Sequence, residues 1–571
     1  MPSAYELERE KNIARNRALL EQLDLKQAVE GLVAKPAATK SQAKPVQPNK
    51  PRKPRERVAE GPRRQSARLR ESVIDPNESP AKRKRRDAER EERRAKEEEE
   101  RLEEEEKARA AKRPRHGELG LATLVEEGDA EDLSTLASLF ESMSQTTKLI
   151  MDEDAGYRSD EETEEDKFVT ELREKLQDLK VVARAKVTQD RVYSAAYHPE
   201  VTKDLVFFGD KHGSLGIWDA RAAVDEVEDE DGDVSVVNAS EGKYWRLQLH
   251  WPATSKSSIS CVKIDPINSH NIYTSAYDCT VRSTSFPSGV SREVFVTDDV
   301  LISSIDVAPT GNDMWISDAA GDVWHRDLRQ DKSVVSRYGL SDTKIGCLSI
   351  NPTRPNFLVT SSNSRSLKIW DIRKLQNVLQ DDSLPTPPPS SPGGPFLDPI
   401  SKLDSEADYD TVTEYTQSKR GQGCLRADWR HDKSVSSAYW DPRGRYIVST
   451  SYDDTLRLWD ISSSNMESSS TFPSSRPFNR IRHNCQTGKW LTILRAQWSP
   501  NPEAYPHFTI GNMDHSVNIF TCKGELITRL ADRDKISAVQ AVTCSHPSIV
   551  ERVVSGNASG RCVLWAPEDE E

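Results

Sequence analysis

Five basic residues, Arg191, Lys256, Lys344, Lys433 and Lys535, stand at or just before short runs of alternating apolar residues that each close on a proline turn. Cations repeated at one place in a recurring unit are carried onto one face of the fold, where they suit phosphate oxygens. Lys211, His212 and Arg365 fall in a second kind of turn, and Tyr277 and Tyr452 occupy similar places. A phenol ring beside cations offers a surface on which a base stacks. Arg480, Ile481, Arg482 and His483 lie in a Ser-rich stretch that would extend the same surface. Any one of these lysines alone reads as a solvated side chain. As a set they predict nucleic-acid phosphate contacts with aromatic interleaving.

A second constellation repeats one tetrapeptide pattern, Trp218-Asp219-Ala220-Arg221 and Trp370-Asp371-Ile372-Arg373, with a weaker form at Arg326-Asp327-Leu328-Arg329. Packing accounts for a Trp and capping for an Asp at a strand end, which leaves the Arg unexplained. A third feature is basic density: Lys82, Arg83, Lys84, Arg85 and Arg86 run together, followed by Lys112-Arg113-Pro114-Arg115. Two such runs read as a nuclear import signal. Ser79-Pro80 beside the first run is a place where phosphorylation would reverse local charge.

No enzyme chemistry is legible. The sequence holds no Walker loop, no G-x-S-x-G elbow, no H-E-x-x-H pair and no kinase set, and Gly421-Gln422-Gly423 does not follow a strand. Asp454 and Asp514 fall in turns, and His198 and His546 each precede a turn proline, so local hydrogen bonding is expected of all four. The 8 cysteines, from Cys261 to Cys562, stand singly in apolar runs, as expected of buried thiols in a reducing compartment and not of zinc or disulfides. No stretch approaches the roughly 20 apolar residues of a bilayer span. The expectation is a binding protein without catalytic residues, metal, cofactor or membrane.

The elements that must position these residues repeat. Each copy is an apolar strand ending in a Pro turn, a second strand, a small-residue turn and a third strand, as in VSSAYWDP then YIVSTSYDDTLRLWD. The turn prolines Pro199, Pro266, Pro309, Pro352, Pro442, Pro500 and Pro547 are spaced 67, 43, 43, 90, 58 and 47 residues apart. The twice-repeated value falls in the window of WD repeats, and the longer intervals place insertions at 222–233, 375–423 and 462–489. The predicted fold is all-β: a seven-bladed WD-repeat propeller over 181–571, its blades packed through Trp218, Trp370, Trp459 and Trp565. Val181 to Val187 is expected to supply the outer strand of the last blade and close the ring. The pattern is degenerate, since the usual Gly-His dipeptide is missing from every copy.

The chain has 571 residues, a net charge of -13 and 35% hydrophobic residues, too polar for one core along its whole length. All 12 Trp and all 8 Cys lie at or beyond Trp218. Residues 31–180 therefore read as a largely disordered charged region, basic over 35–115 and acidic over 116–166. Residues 35–86 carry 17 Lys and Arg against 5 acids and read as a salt-sensitive polyanion arm. Glu89 to Arg109 suits an exposed helix with i,i+4 ion pairs. Residues 1–30 hold a short amphipathic helical motif, with Ile13, Leu19, Leu20 and Leu23 on one side, suited to docking on its own propeller or on a partner.

The motif YELEREKNIARNRALLEQLDL at Tyr5–Leu25, PRRQSARLR at Pro62–Arg70 and the degenerate propeller together resemble the fungal DNA damage-binding WD-repeat proteins of the Cmr type. That family is similar in fold to the small subunit of the UV-damaged-DNA-binding complex. The resemblance implies a nuclear protein that binds duplex DNA, with a preference for damaged DNA, and acts in DNA metabolism and protein quality control. Single strands, chromatin or histones are further partners in this reading. Relatives in the wider propeller class dock on a cullin ubiquitin-ligase adaptor through Trp-Asp-x-Arg. By that resemblance Trp218, Asp219, Arg221, Trp370, Asp371 and Arg373 become adaptor-docking residues, and a protein-interaction scaffold or substrate receptor is the alternative function.

Overall fold

The computed structural model describes residues 117–125, 130–148, 162–222, 241–251, 253, 255–297, 299–330, 334–380, 403–468, 471–472 and 476–568. All of them belong to one compact unit, Arg93–Glu571. The motif Tyr5–Leu25, the 35–86 arm, the helix expected at Glu89–Arg109, and the import runs at Lys82–Arg86 and Lys112–Arg115 lie outside the described residues.

Short alternating strands bury one face against each neighbouring sheet, and seven such sheets form. Blade 1 runs from its inner to its outer strand as Val192–Tyr197, Leu205–Asp210, Ser214–Asp219 and Lys243–Gln248. Blade 2 is Ile259–Ile264, Asn271–Ala276, Thr280–Ser285 and Val290–Val296, and blade 3 is Ile302–Val307, Asp313–Asp318, Asp322–Asp327 and Val335–Gly339. Blade 4 is Ile345–Ile350, Phe357–Ser362, Ser366–Asp371 and Leu425–Arg430, and blade 5 is Val435–Trp440, Tyr446–Ser451, Thr455–Asp460 and Asn479–Arg482. Blade 6 is Gln497–Trp498, His507–Gly511, Val517–Thr521 and Leu526–Leu530. Blade 7 takes Gln540–Ser545, Val553–Asn557 and Arg561–Ala566 from the C-terminal end and its outer strand, Lys180–Lys186, from the other side of the ring. Inner strands of successive blades touch all the way round, so the ring is closed as expected.

The repeats share more than their strands. In six blades the inner strand begins on a buried residue, Val192, Ile259, Ile302, Ile345, Val435 or Gln540, and the register then shifts by one before pairing resumes. Such a bulge strengthens local twist. The residue that pairs next is Ser194, Cys261, Ser304, Cys347, Ser437 or Val542, a small side chain in each case. Trp218, Trp370, Trp459 and Trp565 are buried in the blade packing. All eight cysteines are free, and seven are buried.

The charged region expected to be disordered over 31–180 holds structure in its described residues, 117–125, 130–148 and 162–180. Glu118–Gly120 adds a fifth strand to blade 2, and helix α1 (Ala130–Ser142) then buries Leu136, Leu139 and Phe140 under blades 1 and 2. Phe140 stacks on Phe286 at 4.3 Å. The chain continues to the blade 2 proline turn, where Lys148 N donates to Pro266 O at 2.7 Å and Thr146 N to Ser269 Oγ at 3.1 Å. Helix α2 (Glu162–Gln177) buries Leu172 and Leu176 in the core of blades 6 and 7. Tyr505 Oη donates to Glu165 Oε1 at 2.5 Å, and Lys523 pairs with the same carboxylate. The leucines occur at helical spacing, but with a polar majority the sequence does not reveal the groove that receives them.

Two insertions also carry structure. After blade 4's third strand come helix α3 (Ile372–Gln376) and, further on, Leu403–Ala407, which pairs parallel to the outer strand of blade 3. Helix α4 (Tyr409–Gln417) follows, N-capped by Asp408. The stretch 462–489 holds helix α5 (Ser463–Glu467) and then the outer strand of blade 5 itself.

Candidate nucleic-acid interface

The loops that lead into inner strands and the turns between second and third strands share one face. Backbone bonds tie them blade by blade: Tyr277 N to Ser258 O at 3.0 Å, Ala319 N to Leu301 O at 2.9 Å, Asn363 N to Lys344 O at 2.9 Å and Tyr452 N to Ser434 O at 3.0 Å. Arg191, Lys211, His212, Lys256, Tyr277, Lys344, Arg365, Lys433 and Tyr452 are therefore brought onto one rim around the channel. Lys344 arises from blade 4 yet reaches Tyr277 of blade 2, with Nζ 3.3 Å from the phenol oxygen and 5.0 Å from the ring centre.

Two expected members sit elsewhere. The Lys535 ammonium donates to Val181 O at 3.2 Å, on the ring-closing strand, so this side chain turns to the flank of blade 7. Arg480 belongs to the outer strand of blade 5, not to an insertion loop, and pairs with Asp432 at 3.0 Å. Arg482 ends that strand and is exposed. An outer strand was needed to complete blade 5, and Asn479–Arg482 pairs with Thr455–Leu458 to provide it.

Some of the rim's acids are engaged: Asp190 with His212 at 2.7 Å, Asp278 with His250 at 3.0 Å, and Asp453 and Asp432 with Arg457 at 2.6 and 3.3 Å. Lys211, Arg365, Lys433 and Lys489 have no acidic partner among the described residues. Exposed ammonium and guanidinium groups without a counter-charge are the ones free to displace counterions from a phosphate backbone.

The loop between blades 5 and 6 adds a feature that the repeat pattern did not reveal. Trp490 is 82% exposed, in a protein that buries most of its indoles. The loop is pinned at both ends: Cys485 N donates to Asp454 Oδ1 at 3.1 Å and Gln486 Nε2 to Tyr452 O at 2.5 Å, both in blade 5, while Thr492 Oγ1 donates to Val192 O at 2.5 Å in blade 1. Arg191 joins it through Lys489 O at 3.3 Å. A fixed loop therefore presents a bare indole beside Lys489. The sequence signal was a Trp directly after Gly488-Lys489, away from any strand's alternation.

The Trp-Asp-x-Arg residues lie at third-strand ends, on the opposite face. Trp218 and Trp370 are buried, and Trp218 Nε1 donates to Glu241 O at 2.8 Å. Arg221 forms an ion pair with Asp204 at 2.9 Å, and Asp219 lies 3.7 Å from Lys203. Asp371 caps α3 and receives both Nε and a terminal nitrogen of Arg373, at 3.0 and 2.8 Å. Arg373 nevertheless keeps a 66% exposed side chain. Asp327 and Arg329 form the same fork in blade 3.

No group of three or more metal-ligating side chains occurs among the described residues. No described helix is long and apolar enough to cross a membrane. The family model for the WD domain, G-beta repeat, matches residues 333–371 and 423–460, which take in the third strands of blades 4 and 5. The DNA damage-binding protein CMR1 of Cryptococcus neoformans var. neoformans serotype D is 36% identical, with 99% of each chain covered. The proteins of that name from Mycosarcoma maydis and Neurospora crassa are 30% and 29% identical over 99% of this chain. With its ring of WD repeats and its full-length similarity to these proteins, the chain belongs to the family of fungal DNA damage-binding WD-repeat proteins called CMR1.

Proposed function

We propose that this protein binds DNA across the rim that carries these cations, prefers damaged duplex and works in the nucleus. The observation that carries the reading is Trp490, a fully presented indole on a pinned loop among cations without counter-charge. Phosphates bound by Lys211, Arg365, Lys433 and Lys489 would set the duplex on the rim, and the indole would stack on a base that a lesion has already loosened. Damage lowers the cost of deforming the duplex, so an aromatic platform selects it without reading sequence. The basic arm would add salt-sensitive affinity, and Lys82 to Arg86 would direct import.

Binding of the full chain to intact and UV-irradiated duplex of one sequence, followed by fluorescence anisotropy, tests this. Trp490→Ala should cost about tenfold on irradiated duplex, in keeping with roughly 1–3 kcal/mol per stacked base, and little on intact duplex. Lys433→Glu should weaken both alike. Unchanged preference in Trp490→Ala would remove the indole from damage recognition, and unchanged affinity in Lys433→Glu would remove the rim.

A protein partner on the opposite face is the second reading, favoured by the exposure of Arg373. Capture of a cullin-ligase adaptor by the full chain should be lost in Arg221→Ala combined with Arg373→Ala. Retained capture would reject docking through those arginines.

A further inference from the structure

His212 stands in the turn between the second and third strands of blade 1, and its ring is fixed from one side. Nδ1 lies 2.7 Å from Asp190 Oδ2, while His212 N donates to Asp210 Oδ1 and Gln248 Nε2 donates to His212 O, each at 2.8 Å. A carboxylate only accepts, so Nδ1 carries the proton and a neutral ring is left with Nε2 as a bare acceptor. Nε2 has no hydrogen-bond partner among the described residues and is open to water, with 32% of the side chain exposed. One nitrogen is engaged inside the rim, and the other is left for whatever meets it.

Contacts join this ring to the Trp490 loop. Arg191 follows Asp190 in the chain, and its Nη1 donates to Lys489 O at 3.3 Å, one residue before the exposed indole. Lys211 precedes His212, and its carbonyl accepts at 2.7 Å from Ser258 Oγ, two residues beyond Lys256 of blade 2. Of the carboxylates nearby, Asp190 is bonded to Nδ1, and Asp210, pushed up to about 6 by burial, accepts from the His212 and Ser214 amides beneath the turn. His250, two residues beyond Gln248, is buried with both ring nitrogens bonded, to Asp278 and Thr274, so it has none to offer a ligand. The blade 7 turn packed against the backbone of Thr188 and Asp190, Asn557 to Gly560, has no ionisable side chain, and Arg561 follows it.

A diester phosphate has only acceptors, so a neutral Nε2 would set lone pair against lone pair. An imidazolium instead gives N–H to the anion while Asp190 holds the other N–H. Resting on the rim as the DNA-binding face, we propose that His212 is a proton-linked phosphate contact, which takes a proton from solvent as DNA binds beside Trp490. Imidazole titrates near 6.5 in water, and a proton held more tightly in the complex than in the free protein makes affinity fall as pH rises. Neither diester phosphates nor bases titrate between pH 6 and 8, so over that range the dependence belongs to the protein.

Fluorescence anisotropy of the full chain on UV-irradiated duplex at pH 6, 7 and 8, at fixed ionic strength, reads this. Affinity should fall about three- to tenfold from pH 6 to pH 8, no more than a charge-assisted hydrogen bond supplies, because the ring is part-exposed. His212→Gln, whose amide N–H stands in for Nε2 at every pH, should bind with that dependence removed. Asp190→Asn keeps an acceptor for Nδ1 but drops the charge that steadies the imidazolium, so the fall should move to lower pH. Calorimetry at pH 7 in two buffers of different ionisation heat should show part of a proton taken up per duplex bound by the full chain and none by His212→Gln. Dependence that persists in His212→Gln would assign the proton to Asp210 or another group and overturn the proposal, as would its absence from the unsubstituted chain. Failure of the rim as the DNA-binding face is read separately, at pH 8, from unchanged affinity in Lys433→Glu.

Discussion

Arg365 has a φ of 69°, in the left-handed region that L side chains adopt at a cost. It closes the turn between second and third strands, and the same place is left-handed in every blade: Gly213, Cys279, Gly321, Arg365, Asp454, His515 and Gly560. Three blades use glycine. At Gly321 they must, because a Cβ would lie 2.2 Å from Ser341 O and 2.8 Å from Thr343 O. The turn geometry at position 365 alone would favour glycine, so an exposed arginine there accepts strain of about 1–2 kcal/mol to place a cation on the rim. Arg365→Gly should therefore stabilise the protein by about 0.5–1 kcal/mol in denaturant unfolding, with relief of strain partly offset by the greater freedom of glycine in the unfolded chain. The same variant should weaken DNA binding. A loss of stability would mean that Arg365 serves the fold, and full affinity would mean that it does not touch phosphate. Residues of this kind were legible in sequence because the turn between the second and third strands recurs 12 to 15 residues after each turn proline. Trp490 was not read, because it lies off the repeat.

Segments outside the repeats do more for the ring than their composition suggests. Lys180–Lys186 pairs along Arg561–Ala566, the third strand of blade 7, and α1 and α2 cover Phe286, Phe207, Tyr505 and Phe520. A chain beginning at residue 117 should fold cooperatively. One beginning at residue 187 should open the ring, expose the edge of blade 7 and associate, as measured by size-exclusion chromatography and denaturant unfolding. A monomeric, cooperative 187–571 would show that closure by Lys180–Lys186 is dispensable. Phe140 and Leu176, 1% and 0% exposed, mark the two docking points. The blades were legible because strand alternation and turn prolines are local signals. The docked helices were not, since a helix with a few leucines among acids reads as solvated until the receiving groove is known. The strand Asn479–Arg482 was missed for a related reason: as an outer strand it carries little alternation, and an intervening Ser-rich stretch separates it from the blade it completes.

The closed ring buries titratable groups whose protonation couples the whole molecule to pH. Burial, the largest influence in each case, holds the imidazoles of His198, His431, His483 and His507 down at about 4. In the unfolded chain each would titrate near 6.5. Asp210 and Asp441 go the other way, pushed up to about 6 by burial that outweighs the backbone amides they accept from. The two sets act with opposite sign. A histidine neutral in the folded state takes up a proton only on unfolding, so between pH 6.5 and 4 each one favours the unfolded chain as pH falls. A carboxyl with a raised folded value takes up its proton in the folded state, so each aspartate favours folding as pH falls through 6. Four histidines against two aspartates leave unfolding with a net uptake of about two protons near pH 5. Stability should therefore decline steadily from pH 7 to pH 5, and the midpoint of thermal unfolding of the full chain should fall at each step. A midpoint that stays level or rises over this range would mean that the buried imidazoles are reached by water and protonate within the folded ring.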